Sequence, residues 1–277
     1  MTRTEIEQCE ICPANPNAKL LHLGAKIDGS DHIVALAGNP NVGKSTIFNQ
    51  LTGLRQHTGN WPGKTVTRAE GAYVYDGKRY KVIDLPGTYS LLSTSTDEEI
   101  ARDFILFGRP DVTVVVVDGT RIARNLNLVL QILDITDRLV VNVNLVDEAK
   151  RVGLSIDGRA LARELGVPVV LTAARTGEGI PHLLHEIANL ASGKVFTKPF
   201  RFVTTSKHVQ RGVEQLSQLI QKAYPAIPNT RWIALRLLEG DQSIIDAIRH
   251  GELGLLATTG RRDEHVAVEG AGDERTQ

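Results

Sequence analysis

Eight residues near the start of the chain, Gly38-Asn39-Pro40-Asn41-Val42-Gly43-Lys44-Ser45, follow the pattern G-x-x-x-x-G-K-S. Glycines at the two ends let backbone N–H groups curl round a phosphate. A helix that opens at such a loop turns its positive end toward the same anion. Lys44 then supplies a point charge to the β- and γ-phosphates, Ser45 a hydroxyl for Mg²⁺, and Thr46 the next first-turn amide. The pattern carries weight only between a strand and a helix. Ile33–Ala37 before it and Ile47, Phe48 and Leu51 after it provide both. A chance glycine turn is the plain alternative, and the flanking elements speak against it.

Asp84-Leu85-Pro86-Gly87 ends a second apolar run. An acid there can hold magnesium through water, and Gly87 can offer its N–H to the γ-phosphate. Thr65 lies in the polar, glycine-containing stretch 55–68, beside Gly63, Lys64, Val66 and Thr67. A threonine between the two phosphate motifs is expected as a second magnesium hydroxyl, in a loop ordered by the γ-phosphate. Thr67 competes for that role.

Asn144-Leu145-Val146-Asp147 suits a purine reader. Asp147 can accept from guanine N1–H and the 2-amino group, a donor pair that adenine lacks. Asn144 would brace the loop and contact the base. The competing reading makes Asp147 a helix cap. Thr172-Ala173-Ala174 are small enough for a backbone N–H to reach guanine O6. The pattern thus predicts a GTP/GDP site with Mg²⁺. The residue after Gly87 is Thr88, where Ras-like enzymes carry a glutamine that orients the attacking water. Backbone, another side chain or a partner must do that here. Asn41 matches the asparagine of GTPases activated by K⁺, in which a monovalent cation neutralises charge between the phosphates. A loop-bracing amide is the alternative. Asn41, Lys44, Thr65 and Gly87 form the expected catalytic set.

These loops need elements to position them. Ile33–Ala37, Val112–Val117, Leu139–Val143 and Val167–Leu171 read as parallel strands buried on both faces. Residues 72–76 and 80–84 read as a hairpin turning at Asp76-Gly77. Helices are expected from Thr96 with Glu99 as a capping box, through Leu126–Leu133, at Leu161–Leu165 ending at Gly166, and from Ile180 to Ile187. The fold expected is α/β: a P-loop GTPase doubly wound sheet followed by a small all-helical domain. Gly38, Asp84, Asn144 and Thr172 would then lie just past the carboxyl ends of four strands, the ligand-binding rim of such a sheet. The expected division is an N-terminal extension at 1–30, the GTPase domain at 31–194, a helical domain at 195–257 and a disordered tail at 258–277. Helices at 209–223, Trp232–Leu238 and Ile244–Ile248 make up the helical part, the last capped by Asp241.

Bulk properties narrow the function. Lys plus Arg and Asp plus Glu are 32 each, so no net charge draws the chain to nucleic acid. Two cysteines fit a reducing compartment. No signal segment or membrane-length apolar run is present in the sequence, which predicts a soluble chain. Cys9 and Cys12 have C-x-x-C spacing with His22 and His32 downstream, but second-pair spacing for a metal site is poor, so unliganded thiols are expected. His57 reads as a solvated loop histidine, and the apolar stripe of 209–223 as helical core.

Gly59-Asn60-Trp61-Pro62-Gly63-Lys64-Thr65-Val66-Thr67 is more specific than any generic motif. With Gly38–Ser45, Asp84–Ser90 and Asn144–Asp147, it resembles the cytosolic part of the bacterial ferrous iron transport protein B (FeoB) family. Asp118-Gly119-Thr120 followed by Arg124-Asn125-Leu126, and the segment near Leu235–Asp241, are also similar to that family. The resemblance covers about residues 32–250. It implies a GTPase domain and a helical domain of guanine-nucleotide-dissociation-inhibitor type. It further implies a membrane permease beyond this chain, hence a cytoplasmic fragment of an inner-membrane protein, with small accessory Feo proteins and self-association as further partners. By position it makes Asn41 a potassium ligand, with Gly59 and Trp61 lending backbone carbonyls. Ala173 departs from the family, where serine is usual. The competing functions are a ribosome-assembly or RNA-modification GTPase, disfavoured by the missing basic appendage, and a nucleotide-gated module without turnover.

Overall fold

The computed structural model describes residues 29–249 except 55, 63, 93–94, 202–205, 226 and 228. The N-terminal extension with Cys9, Cys12 and His22, Gly63 of the phosphate-facing stretch, and the tail from 250 lie outside the described residues.

Seven strands form one sheet in the order β2-β3-β4-β1-β5-β6-β7. They are β1 (His32–Gly38), β2 (Gln56–Asn60), β3 (Thr67–Tyr75), β4 (Lys78–Asp84), β5 (Val112–Asp118), β6 (Leu139–Asn144) and β7 (Val169–Leu171). β1 pairs in parallel with β4 and β5, and β5–β6–β7 continue the parallel half. β2 and β3 pair antiparallel at the other edge. Five helices, α1 (Lys44–Thr52), α2 (Thr96–Asp103), α3 (Ile122–Ile135), α5 (Gly158–Leu165) and α6 (Ile180–Ala191), accompany the sheet, with the short α4 (Val146–Arg151) between β6 and α5. This is the expected doubly wound α/β architecture.

Alternation along each strand sends successive side chains to opposite faces. Val34, Leu36, Val114 and Val116 pack with Ile47 and Phe48 of α1 and Leu183 and Ile187 of α6. Ala35, Ala37, Val115 and Val117 meet Phe104, Leu128, Ile132 and Leu133 on the other face. Both faces are therefore buried, which is why these strands read as unbroken apolar runs.

Three details differ from the sequence expectation. Residues 56–60, expected as part of a polar loop, form edge strand β2 through pairing with β3. The hairpin strands are longer than expected, although its turn is Asp76-Gly77, with φ of 49° and 69° as a type I′ turn requires. α2 is capped by Ser95, whose Oγ accepts from the Glu98 N–H, rather than by Thr96 one residue later. α2 also runs into a π-helical turn, Phe104–Gly108, whose residues are all buried.

Helices α7 (Lys207–Ala223), α8 (Thr230–Leu238) and α9 (Gln242–Arg249) follow. Asp241 Oδ1 accepts from the Ile244 N–H, as its capping role requires. The core of this region is not separate. Val213, Ile220, Trp232, Ile233 and Ile244 belong to the same buried cluster as the α2/α3 face of the sheet. Asn229 joins the two parts. Its Nδ2 donates to the carbonyls of Asp134 and Ile135 at the end of α3, while its Oδ1 accepts from the Trp232 N–H at 3.0 Å and caps α8.

Asn229→Ala removes a cap and leaves two buried carbonyls short of a donor. We expect a loss of about 2 kcal/mol in unfolding free energy, read by urea denaturation. An unchanged midpoint would contradict this role.

Candidate functional site

Gly38 ends β1, and the loop Asn39–Gly43 leads into α1 at Lys44. Asn41 has φ of 66° and Gly43 of 83°. A Cβ on Gly43 would also collide with Asn144 Nδ2, so glycine is required here by both conformation and space. No side chain caps α1 and no acid lies in its first turn. The N–H groups of that turn and the positive end of the helix are thus presented together, with Ser45 and Thr46 exposed beside them.

Asp84 ends β4, next to β1. The following loop is stitched to the phosphate loop by Leu85 N–H to Leu36 O at 2.9 Å and Thr88 N–H to Gly38 O at 3.2 Å. Gly87 lies against Pro40. Lys44 Nζ donates to Asp84 Oδ1, and to Leu85 O at 2.7 Å. Burial raises the Asp84 carboxyl above the ordinary aspartate range, and the neighbouring Lys44 ammonium opposes that rise.

Asn144 ends β6 and is 1% exposed. Its Nδ2 donates to Val42 O at 3.0 Å, inside the phosphate loop. Its Oδ1 accepts from the Ala174 N–H at 3.0 Å and from Thr172 Oγ1 at 3.2 Å. One amide therefore spans the phosphate loop and the 172–174 loop, as its expected bracing role demands. Leu145 adopts φ of 62°, and this kink sets Asp147 in the first turn of α4. The Asp147 carboxylate is partly exposed and 3.6 Å from the Arg175 guanidinium.

The three amides expected to approach a purine oxygen already have partners. Thr172, Ala173 and Ala174 N–H donate to Val143 O, Glu178 O and Asn144 Oδ1. A base oxygen would share one of them. Sequence reading also missed supporting residues. Gln50 Nε2 donates to Ala174 O at 2.9 Å, Gly119 N–H to Asn144 O at 2.8 Å, and Thr172 Oγ1 to Asn142 Oδ1 at 3.0 Å. The signal for Asn142 was a polar residue inside an apolar strand, which is kept only when hydrogen-bonded.

The segment around Thr65 makes contacts of its own. Trp61 N–H donates to Val66 O, and Trp61 O accepts from the Lys64 N–H at 3.0 Å. The Trp61 ring is buried edge-on to Phe104 at 5.6 Å, with the Arg68 guanidinium 5.5 Å from its centroid. Lys64 pairs with Glu99 of α2 at 3.2 Å. Thr65 is exposed in this turn, Val66 is partly buried, and Gly59 and Thr67 lie in the β2–β3 ladder. Among the described residues, no hydrogen bond joins residues 56–67 to the phosphate loop. Of the expected potassium ligands Asn41, Gly59 and Trp61, the Trp61 carbonyl is engaged by the Lys64 N–H.

An uncapped helix start, a lysine and exposed hydroxyls fit a polyphosphate. The oxygen donors of Ser45 and Asp84 fit a hard divalent cation such as Mg²⁺.

Comparison with known proteins places this arrangement. The sequence model described as ferrous iron transport protein B matches residues 32–187, more than half of the chain, and that of the FeoB cytosolic helical domain matches residues 206–268. An Fe(2+) transport protein A/Fe(2+) transporter FeoB fusion protein of Porphyromonas gingivalis is 34% identical over 94% of this chain and 33% of its own length. The chain spans about a third or less of the curated relatives it matches. The solved cytosolic domain of T. maritima FeoB in a GDP form is 38% identical, with a TM-score of 0.71, covering 80% of this chain and 85% of that one. Its GMPPNP form is 35% identical, with a TM-score of 0.71 and coverage of 83% and 94%.

Gly43→Ala tests the close approach to Asn144. Gly53→Ala has a similar φ, +62°, but open space around the new Cβ, so it isolates the conformational cost of about 1 kcal/mol. Gly43→Ala should lower the melting temperature well beyond Gly53→Ala. Equal shifts would remove the steric argument.

Proposed function

Since the chain belongs to the ferrous iron transport protein B family, we propose that it binds and hydrolyses GTP as the cytosolic part of a ferrous iron transporter, regulating a membrane permease that lies outside this chain. The GTPase-domain and cytosolic helical-domain matches support this reading. The observation that carries it is the Asn144 side chain, which joins Val42 of the phosphate loop to Thr172 and Ala174. Triphosphate and guanine would be bound as one ligand across that bridge.

The amides of Lys44, Ser45 and Thr46 and the Lys44 ammonium bind the phosphates. A phosphate at this loop competes with Asp84 for Lys44. Asp84, ionised and released from the lysine, would then be available to help hold the metal. Ser45, Thr65 and Asp84 would hold magnesium, which when bound would neutralise negative charge on the phosphates. Gly87 N–H would face the γ-phosphate. Asp147 reads the guanine donor pair, and the 172–174 loop the base oxygen. GTP binding and hydrolysis would order and release the loops at 55–68 and 88–96, the switch segments. α2 also carries Arg102, 3.9 Å from Asp241 at the start of α9, a path by which loop state would pass to the helical region. Gly59 and Trp61 would lend their backbone carbonyls, with Asn41, to a potassium ion.

Three outcomes test this. GTP hydrolysis should be faster in K⁺ than in Na⁺, negligible with ATP, and insensitive to K⁺ in Asn41→Ala; equal rates in both salts would remove the potassium role. Asp147→Asn should lose at least about tenfold in affinity for GDP and gain affinity for xanthosine diphosphate, whose 2-oxo group accepts from an amide. Unchanged preference would displace Asp147 from the base. Magnesium-dependent binding should fail on acidification at a pH above the ordinary aspartate value of 3.8, because burial raises the Asp84 carboxyl and only its ionised form serves the metal. Loss confined to lower pH would contradict this.

A further inference from the structure

The segment Asp118-Gly119-Thr120 with Arg124-Asn125 has no part in the nucleotide chemistry above. It forms one wall of a cavity of about 340 Å³ on the outer side of the phosphate loop. Asn39 and Asn41 of that loop form the facing wall, and Tyr89, two residues beyond Gly87, closes one side. Two side-chain oxygens in these walls stand out. Asn39 and Asn125 are 3% and 4% exposed, and the Oδ1 of each has no hydrogen-bond partner among the described residues.

A buried acceptor left unmade costs about 1–3 kcal/mol, so two beside one cavity call for a donor. The orientation of Asn125 is not arbitrary: its Nδ2 donates to Arg121 O at 2.9 Å, which leaves Oδ1 as the free atom. Asp118 adds a carboxylate whose Oδ1 already takes the Thr120 N–H and O–H, at 2.8 and 2.7 Å. The Thr120 donors are thus consumed, and Glu148 adds a second carboxylate to the lining, which also includes Arg121 and Arg124. The cations at the cavity sit differently: Arg124 lies over the Tyr89 ring at 4.9 Å, and Arg121 is exposed.

We propose that this cavity is a binding site for a cationic N–H donor group, a guanidinium or primary ammonium, seated against Asn39, Asn125 and Asp118. The volume suits such a head group with its alkyl stem rather than a bare ion. A planar guanidinium can serve three separated acceptors at once. The group would arrive on a side chain of a partner or a second copy of this chain, or as a free small amine. It would touch the phosphate loop and Tyr89, two residues beyond the Asp84–Gly87 motif, together, so its occupancy would bear on both.

The test uses the ¹⁵N-labelled chain saturated with Mg–GDP in Na⁺ buffer, titrated with methylguanidinium. Saturable shifts are expected in the side-chain amide signals of Asn39 and Asn125 and the backbone signal of Thr120. Tetramethylammonium, equally charged but without N–H, should leave them in place at matched ionic strength. Asn125→Leu should abolish the saturable response. No saturation in the wild-type chain, an equal response to tetramethylammonium, saturation by inorganic phosphate instead, or an unaltered response in Asn125→Leu would each overturn the proposal. The wild-type probe series stands even where the variant does not fold. Sedimentation of the chain alone then distinguishes the sources, because a second copy supplying the group would give dimers that methylguanidinium disperses.

Discussion

The Asn144 carboxamide is the interaction on which the rest of the site depends. It lies at the end of β6, fully buried, with every polar atom of its head group occupied: Nδ2 by Val42 O, and Oδ1 by Ala174 N–H and Thr172 Oγ1. Loops separated by more than a hundred residues in the chain are thereby held in fixed relation. A buried amide in this position cannot be replaced by an apolar residue without leaving Val42 O and the Ala174 N–H unpaired. Gly43 is the complementary constraint, because the amide needs the space that a side chain there would fill.

That bridge is only as firm as the strands that carry it. β1, β4, β5 and β6 are adjacent and parallel in the order β4-β1-β5-β6, so their carboxyl ends lie along one rim. Both faces of these strands are covered, which fixes their registers. The helical region adds to the same core rather than building its own, and Asn229 ties it to the end of α3. Trp61 and Lys64 lean on α2, and α2 reaches α9 through Arg102 and Asp241. The turn that carries Thr65 is thus in contact with an element that also reaches the helical region.

Much of this was legible in the sequence because the Gly38–Ser45, Asp84–Gly87 and Asn144–Asp147 motifs are local and each follows an apolar strand. Asn144, Asp84 and Gly43 needed only their spacing. Other parts were not legible, for physical reasons. β2 is Gln56-His57-Thr58-Gly59-Asn60, which has no apolar alternation and becomes a strand only through its partner β3. The run Ser95-Thr96-Asp97-Glu98-Glu99 offers two hydroxyls each three residues from an acid, so sequence alone could not choose the cap. The π-helical turn is uniformly apolar and shows no period. Gln50 and Asn142 act across the fold, and such contacts leave no mark in local pattern beyond a polar residue in an unexpected place. The commitment of the 172–174 amides to internal partners likewise emerges only from the folded loop.

The central claim is that one amide makes the phosphate and base loops a single guanine-nucleotide site. Calorimetric titration of the wild-type chain and of Asn144→Ala with Mg–GDP and Mg–ADP, at a temperature where both proteins are folded, tests it most directly. The account predicts tight binding of Mg–GDP to the wild-type chain, weak binding of Mg–ADP, and a loss of at least about a hundredfold in GDP affinity for the variant, equivalent to about 3 kcal/mol. A folded Asn144→Ala chain that binds Mg–GDP as tightly as wild type, or a wild-type chain indifferent to the base, would contradict it.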